Sequence, residues 1–346
     1  DWRMIVRDRN SSFGRRLGCC FAAIALAVVV LPASAQSKTE NPEWVPSGQG
    51  ITPLAPTGAV FTKLNPGLKD LPNYTAGQAI KTAMSPDGKT LLVLTSGYNR
   101  LNNAKGIRNA ADSNEYVFVF DLSGGSLRQT QVLQVPNTFV GLAFSPTGDQ
   151  FYVSGGVDDN VHLFTRANGV WAENAKPVAL GHVQGVGIHQ KPTVANVAVT
   201  ADGKTLVAAD IYNDAISIVD VVNRSKVGEL DLRPGILNAA QSGVAGGESP
   251  FGIAIKGNET AYVSSERDRE IDVVDISSPT APKLRTRIPV KGNPNSMVLN
   301  AAQTRLFVVA DNSDRVSVID TTTNRVVETI RTTAPEGVMR GPQQLP

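Results

Sequence analysis

The segment GHVQGVGIHQKP, residues 181–192, holds two of the chain's three histidines, His182 and His189; the third is His162. Two imidazoles in a glycine-rich stretch raise metal binding first. A metal centre needs three or four converging ligands, and a seven-residue spacing supplies no third. No metal and no other cofactor is therefore expected. SGYNRLNNAKGIRN, residues 96–109, offers Tyr98, Asn99 and Arg100 as hydrogen-bonding and cationic groups, and Tyr212 opens a short polar Tyr-Asn-Asp stretch. SERDRE, residues 265–270, packs five charges into six positions, with Glu266 and Arg267 at its front. Charge runs of this kind form solvated loop tips or line a binding face. GVAGGESPFG, residues 243–252, is rich in glycine but lacks the Gly-Lys-Ser/Thr ending of a phosphate loop, and reads as a flexible link. No Gly-x-Ser-x-Gly, His-Glu-x-x-His or dinucleotide fingerprint occurs, so no catalytic or cofactor-binding residue is assigned.

What must position these groups is a repeat. ANVAVTADGKTLVAADIYNDAISIVDVVNRSKVGELDL, residues 195–232, parses into four short strands of period-two alternation. They are 195–199, 206–209, 215–219 and 226–230, here termed strands A to D, separated by an Ala-Asp-Gly-Lys turn, a polar loop and an Asp-to-Arg turn. The A-B turn recurs as SPDGKT, SPTGDQ, KGNET and NAAQTR, and strand C as YVFVFD, NVHLFT, EIDVVD and RVSVID. The closing positions Asp121, Thr165, Asp220, Asp275 and Asp320 lie 44, 55, 55 and 45 residues apart. One small sheet cannot bury both its faces, so a period of about 40–50 residues predicts an all-β propeller of four-stranded antiparallel blades. Five blades are recognisable over residues 76–335. Four of the five closing positions are Asp, which suits a carboxylate bonding the amides of the next turn better than a metal.

Strand parity sorts the connections. The A-B and C-D turns share one end of the propeller and are short, while B-C loops and D-to-A links share the other. Three long segments fall in the second set: 96–115 as a B-C loop, and 165–194 and 231–250 as D-to-A links. Long insertions on a rigid scaffold are where binding residues concentrate. This end, with Tyr98, Asn99, Arg100, His182, His189, Tyr212, Glu266 and Arg267, is the candidate ligand face for an unidentified small molecule or protein.

The chain of 346 residues is 41% hydrophobic and 18% charged, enough for a sizeable core. Its first 35 residues differ: five arginines precede the apolar run CCFAAIALAVVVL, which is followed by Pro-Ala-Ser-Ala. That is the pattern of a secretory signal cut after Ala35, implying a periplasmic or secreted bacterial protein, and the run is too short to span a bilayer. Both cysteines, Cys19 and Cys20, leave with it, so the mature chain has no disulfide. The formal charge of +2 falls to about −1, which gives no electrostatic basis for a nucleic-acid partner. No later apolar run reaches membrane-spanning length.

LFVVADNSDRVSVIDTTTNRVVETI, residues 306–330, resembles the YVTN repeat of YncE-like β-propellers, with Phe307-Val308-Val309 where the family phrase has Tyr-Val-Thr. GITPLAPTGAVFTKLNPGL at 50–68 and AGQAIKTAMSPDGKTLLVLTSGYNRLN at 76–102 are similar to bacterial exported proteins in which such a propeller precedes an alkaline-phosphatase-like phosphoesterase domain. The resemblance implies a phosphoesterase partner domain in cis, none of whose catalytic motifs occurs in this chain. Five copies are fewer than the roughly seven blades common for this repeat, so the ring is expected to be incomplete. Residues 36–75 are read as an N-terminal arm, with 56–63 as a possible closing strand, and 336–346 as a link to a further blade. Two functions remain open: an exported binding or scaffold module at the front of a propeller–phosphoesterase protein, or a propeller enzyme of the sugar-lactone hydrolase type acting at the central funnel. Whether the chain is itself an enzyme stays undecided by its sequence.

Overall fold

The first three blades are fastened at one end by the same small device. In the third, the Thr200 hydroxyl donates to Asp202 at 2.6 Å, Lys204 N donates to the same carboxylate at 3.0 Å, and Gly203 turns the chain at φ +73°. Ser85 with Asp87, and Ser145 with Asp149, repeat the arrangement in the first and second blades. A short hydroxyl, a carboxylate and a glycine free to take positive φ are what a tight reversal between two strands requires. At strand C's exit the closing aspartates act as expected, accepting amide hydrogens from Ser123, Asn223, Ser277, and Thr322 with Thr323.

The structure, a computed structural model, describes residues 43–44, 50–51, 62–96, 100–103 and 105–333. Residues 1–59 and 60–346 form two compact units. In the first, Glu43–Trp44 pairs antiparallel with Gly50–Ile51. The secretory signal expected over 1–35 and the link expected over 336–346 lie outside the described residues.

The second unit is a β-propeller of five antiparallel sheets. Blade 1 is Ala79–Met84, Thr90–Thr95, Glu115–Asp121 and Arg128–Val135. Blade 2 is Leu142–Phe144, Gln150–Ser154 and Asn160–Ala167, with a broken outer strand of Val170–Ala172 and Val178–Ala179. Blade 3 is Val194–Val199, Thr205–Asp210, Ala215–Asp220 and Ser225–Asp231. Blade 4 is Pro250–Lys256, Thr260–Ser265, Glu270–Asp275 and Lys283–Pro289. Blade 5 is Asn293–Leu299, Arg305–Asp311, Arg315–Asp320 and Arg325–Arg331. Strand A of each blade packs against strand A of the next in chain order.

Apolar layers fill the spaces between blades because strands B and C are hydrophobic on both faces. Leu92, Leu94 and Val117 of blade 1 meet Phe151, Phe164 and Trp171 of blade 2, where Phe151 stacks on Phe164 at 4.7 Å. Further layers follow: Tyr152 and Leu163 against Leu206 and Val219, Ile216 and Ile218 against Val263 and Val274, Ile271 and Val273 against Leu306 and Val308. The two outermost faces differ. Leu64, Tyr74 and Ala76 pack over Val93, Tyr116, Phe118 and Phe120 of blade 1, so part of the expected arm covers that face. It does so without a strand at 62–63, while 52–61, most of the proposed closing strand, lies outside the described residues. Blade 5 has no such cover among the described residues: Val298, Val309 and Val327 of its sheet are exposed.

One boundary needs correcting. Residues 165–194 are not a single link: they contain the end of strand C, the tight Asn168-Gly169 turn and both pieces of the outer strand. The D-to-A link proper begins after Ala179.

Candidate functional site

Asp210 closes strand B of blade 3 and is wholly buried. Its Oδ2 accepts the Ser217 hydroxyl at 2.7 Å, and its Oδ1 has no hydrogen-bond partner. Burial pushes this carboxyl up to about 7, opposed by the neighbouring His182. The His182 Nε2 lies 4.0 Å from Asp210 Oδ2 and 3.4 Å from Glu229 Oε2 on the outer strand. On the other side of the ring, Asp159 holds His182 twice, accepting the backbone amide at 2.6 Å and pairing with Nδ1 at 2.7 Å. Asp159 sits in the B-C turn of blade 2 at φ +52°, a conformation its short polar side chain tolerates. Lys226 completes the group: its Nζ donates to Leu180 O at 2.8 Å, contacts Glu229, and lies 3.4 Å from His182 Nε2. The Asp159 and Glu229 hydrogen bonds raise the His182 pKa to about 10, and His182 in turn lowers Glu229 to about 2. At neutral pH the imidazole is therefore a cation clamped among carboxylates.

The clamp fixes the start of the link through 181–192, and blade 3 fixes its middle. Val186 N donates to Tyr212 O at 2.5 Å, Asn213 Nδ2 to Gln184 O at 2.9 Å, and Gly185 N to Gln190 O at 2.9 Å. The result is a pinned loop that holds Val183 and Ile188 in solvent, 96% and 92% exposed.

The next blade boundary has its own clamp. Three consecutive amides, of Gly247, Glu248 and Ser249, donate to Glu270 Oε1, Asp268 Oδ2 and Asp214 Oδ1 at 2.9, 2.7 and 3.0 Å. Arg287 bonds Glu270 and Asp272 at 2.6 Å each and also donates to Leu232 O. Asp272, wholly buried, accepts the Ser265 hydroxyl at 2.5 Å, and burial pushes it up to about 7 against the pull of Arg287. The segment 243–252 is therefore no flexible link: carboxylates of the charged loop at 265–270 bind its backbone. Asp268 and Glu270 spend their charge inward, whereas Arg267 points outward to Glu248 at 3.1 Å.

The eight candidate residues come together only in part. His182 and Tyr212 lie on the two loops just described, and His189 follows on the same link, exposed at φ +57°. Glu266 N donates to Ser249 O at 3.1 Å, and burial followed by Asp311 raises the Glu266 carboxyl. Arg100 is exposed beside the 101–113 loop, and Tyr98 and Asn99 lie outside the described residues. His162 is buried, with Nδ1 on Glu173 at 3.0 Å and Nε2 unpartnered. A cavity of about 270 Å³ opens at the opposite, tight-turn end between blades 1 and 2, lined by Lys89, Arg128, Arg166 and Trp171 among others.

Sequence reasoning missed Asp159, Asp210, Lys226 and Glu229. The expectation of no metal also meets a cluster that the His182 to His189 spacing did not reveal. Asp159, His182 and Asp210 each bring one ligand atom within 4.8 Å of the other two. The sequence signal was weak: the strand B ends read Thr95, Ser154, Asp210, Ser265 and Asp311, so two of the five are carboxylates, and the structure buries only Asp210 of these two.

No family model matches the sequence, and no curated protein matches it. Solved structures do. The chain is similar to a functionally unknown protein from Desulfotomaculum acetoxidans at TM-score 0.53 and 18% identity, covering 72% of this chain and 70% of that one. It is also similar to the periplasmic gluconolactonase of Pseudomonas aeruginosa at TM-score 0.54 and 16% identity, covering 75% and 74%. At these identities the likeness is one of fold. Among the described residues no helix is long and apolar enough to cross a membrane.

Proposed function

We propose that the chain is an exported propeller module that binds a ligand or protein partner at the end carrying its B-C loops and D-to-A links. The observation that carries this reading is the pinned link at 181–192, with Val183 and Ile188 held 96% and 92% exposed above the His182 clamp. Apolar side chains fixed in water gain free energy when a partner covers them, and a loop already ordered loses little entropy on binding. A periplasmic location is supported by the leader pattern of residues 1–35 and by the Pseudomonas likeness. The resemblance of residues 50–68 and 76–102 supports a phosphoesterase domain in cis, for which the propeller would act as scaffold. Nothing in the charge balance supports a nucleic-acid partner.

A second reading, sugar-lactone hydrolysis at the central funnel, is favoured by the fold shared with the gluconolactonase. It requires an acid, a base and a cation facing one space. Of the groups available, Arg267 turns outward to Glu248, and His182 stands at the junction of blades 2 and 3 with Nδ1 on Asp159. Turnover of glucono-1,5-lactone by the purified chain separates the two. The binding reading predicts hydrolysis no faster than in buffer alone. A faster rate that falls in Glu266→Gln or His182→Gln would overturn it.

A further inference from the structure

We infer that the junction between blades 2 and 3 is a binding site for one divalent transition-metal ion of the zinc class, held by His182 Nε2, Asp210 and Glu229, with Asp159 orienting the imidazole. The spacings carry the argument. Glu229 Oε2 and Asp210 Oδ2 stand 3.4 and 4.0 Å from His182 Nε2. Ligands each about 2.0–2.2 Å from a shared tetrahedral ion lie about 3.4 Å from one another, so Glu229 already stands at ligand separation from Nε2 and Asp210 only slightly beyond it. Asp159 is too close to share that ion as an equal: at 2.7 Å from Nδ1 it is a hydrogen-bond partner of the ring. A carboxylate on Nδ1 is the support that metal-bound histidines use to present Nε2.

The second, independent observation is Asp210 itself. It is wholly buried, and Oδ1 has no donor although Oδ2 is satisfied by Ser217. A buried carboxylate oxygen without a partner is costly, and a cation supplies what the fold does not. Lys226 is the resident cation here, touching Glu229 and lying 3.4 Å from Nε2. Its long flexible stem lets the ammonium leave toward solvent when a metal arrives, and the ion displaces the proton that His182 Nε2 carries at neutral pH, so affinity should rise with pH. One imidazole with two carboxylates selects against calcium, which prefers oxygen alone, and against copper(I), which prefers sulfur. A bound ion would tie the link at 181–192 to the outer strand of blade 3, stiffening the loop that displays Val183 and Ile188.

Metal-stripped full-length chain titrated with Zn²⁺ alone tests the site, by calorimetry and by thermal unfolding. One equivalent should bind, and the unfolding midpoint should rise with Zn²⁺ concentration. Asp210→Asn and Glu229→Gln should each weaken affinity by about tenfold or more, Asp159→Asn should weaken it by about 10–100-fold, and Lys226→Met should tighten it. Co²⁺ should give the intense visible bands of a four-coordinate site in the wild type. Absence of saturable Zn²⁺ binding, or binding unchanged in Asp210→Asn and Glu229→Gln, would overturn the proposal. If those variants fail to fold, the wild-type Co²⁺ spectrum decides: bands support the site, and their absence overturns it.

Discussion

Arg287 bonds two carboxyl groups at once, Glu270 and the wholly buried Asp272, and so does more for the fold than a surface arginine. Removing it leaves the largely buried Glu270 carboxylate uncompensated and the Leu232 carbonyl without this donor, and breaking a buried ion pair in this way costs about 3–5 kcal/mol. Arg287→Met should lose stability in that range in urea denaturation at neutral pH, while Arg128→Met, at a pair largely in solvent, should change it by less than about 1 kcal/mol. Asp272 also predicts a pH dependence. Its carboxyl is pushed up to about 7 by burial, against Arg287 and with Glu270 and Asp268 nearby. The folded state therefore keeps a proton that the unfolded chain releases near its ordinary value of about 4. That contribution is fully present at low pH and is lost as pH rises from about 4 to about 7. Asp272→Asn should flatten the stability profile across this window, read as unfolding midpoints at several pH values; an unchanged slope would contradict the assignment. The same residues show what the sequence could and could not reveal. His182 and Glu266 stand in stretches whose composition marks them as loops. Asp159, Asp210 and Glu229 come from two different blades, and only the packing of blade 2 against blade 3 brings them to one imidazole.

At the scale of the element, the D-to-A links matter through their anchors. Gly247 has φ +71°, gives its amide to Glu270, and lies so close to Leu232 O that a Cβ would collide with it. Gly247→Ala should cost more than the roughly 1 kcal/mol of an unstrained glycine replacement, and should loosen 243–249 as measured by limited proteolysis. By contrast Gly203, at φ +73°, where a Cβ would make only ordinary contact with Pro146 at 3.4 Å, should cost only about 1 kcal/mol on replacement by Ala. Period-two alternation and Asp-Gly turns made the strands of blade 3 legible to within a residue of Val194–Val199, Thr205–Asp210, Ala215–Asp220 and Ser225–Asp231. The outer strand of blade 2 was not legible, because Val170–Ala172 and Val178–Ala179 are too short to show a period and are separated by Glu173-Asn174-Ala175-Lys176-Pro177. Glycine content misled in one place: 243–252 reads as flexible, yet the amides of Gly247, Glu248 and Ser249 are held by carboxylates and that of Gly252 by the Ser264 hydroxyl.

At the scale of the molecule, stability resides in the layers between blades. Leu306, wholly buried between blades 4 and 5, should cost about 2–5 kcal/mol as Leu306→Ala, whereas Val327→Ser on the uncovered face of blade 5 should stay within about 0.5 kcal/mol in the same denaturation assay. The repeat made this architecture readable, since every copy carries apolar residues that no single sheet can hide. What the repeat could not announce is how the two ends differ, because the long insertions break the pattern. The central claim is that the long-loop end is a preorganised surface. Amide hydrogen exchange resolved to single residues tests it most directly. The account predicts protected amides at His182, Gly185 and Val186, fast exchange at the flanking exposed positions Val183 and Ile188, and loss of the protection in Asp159→Asn. Exchange at His182, Gly185 and Val186 in the wild type as fast as in an unstructured peptide would contradict it.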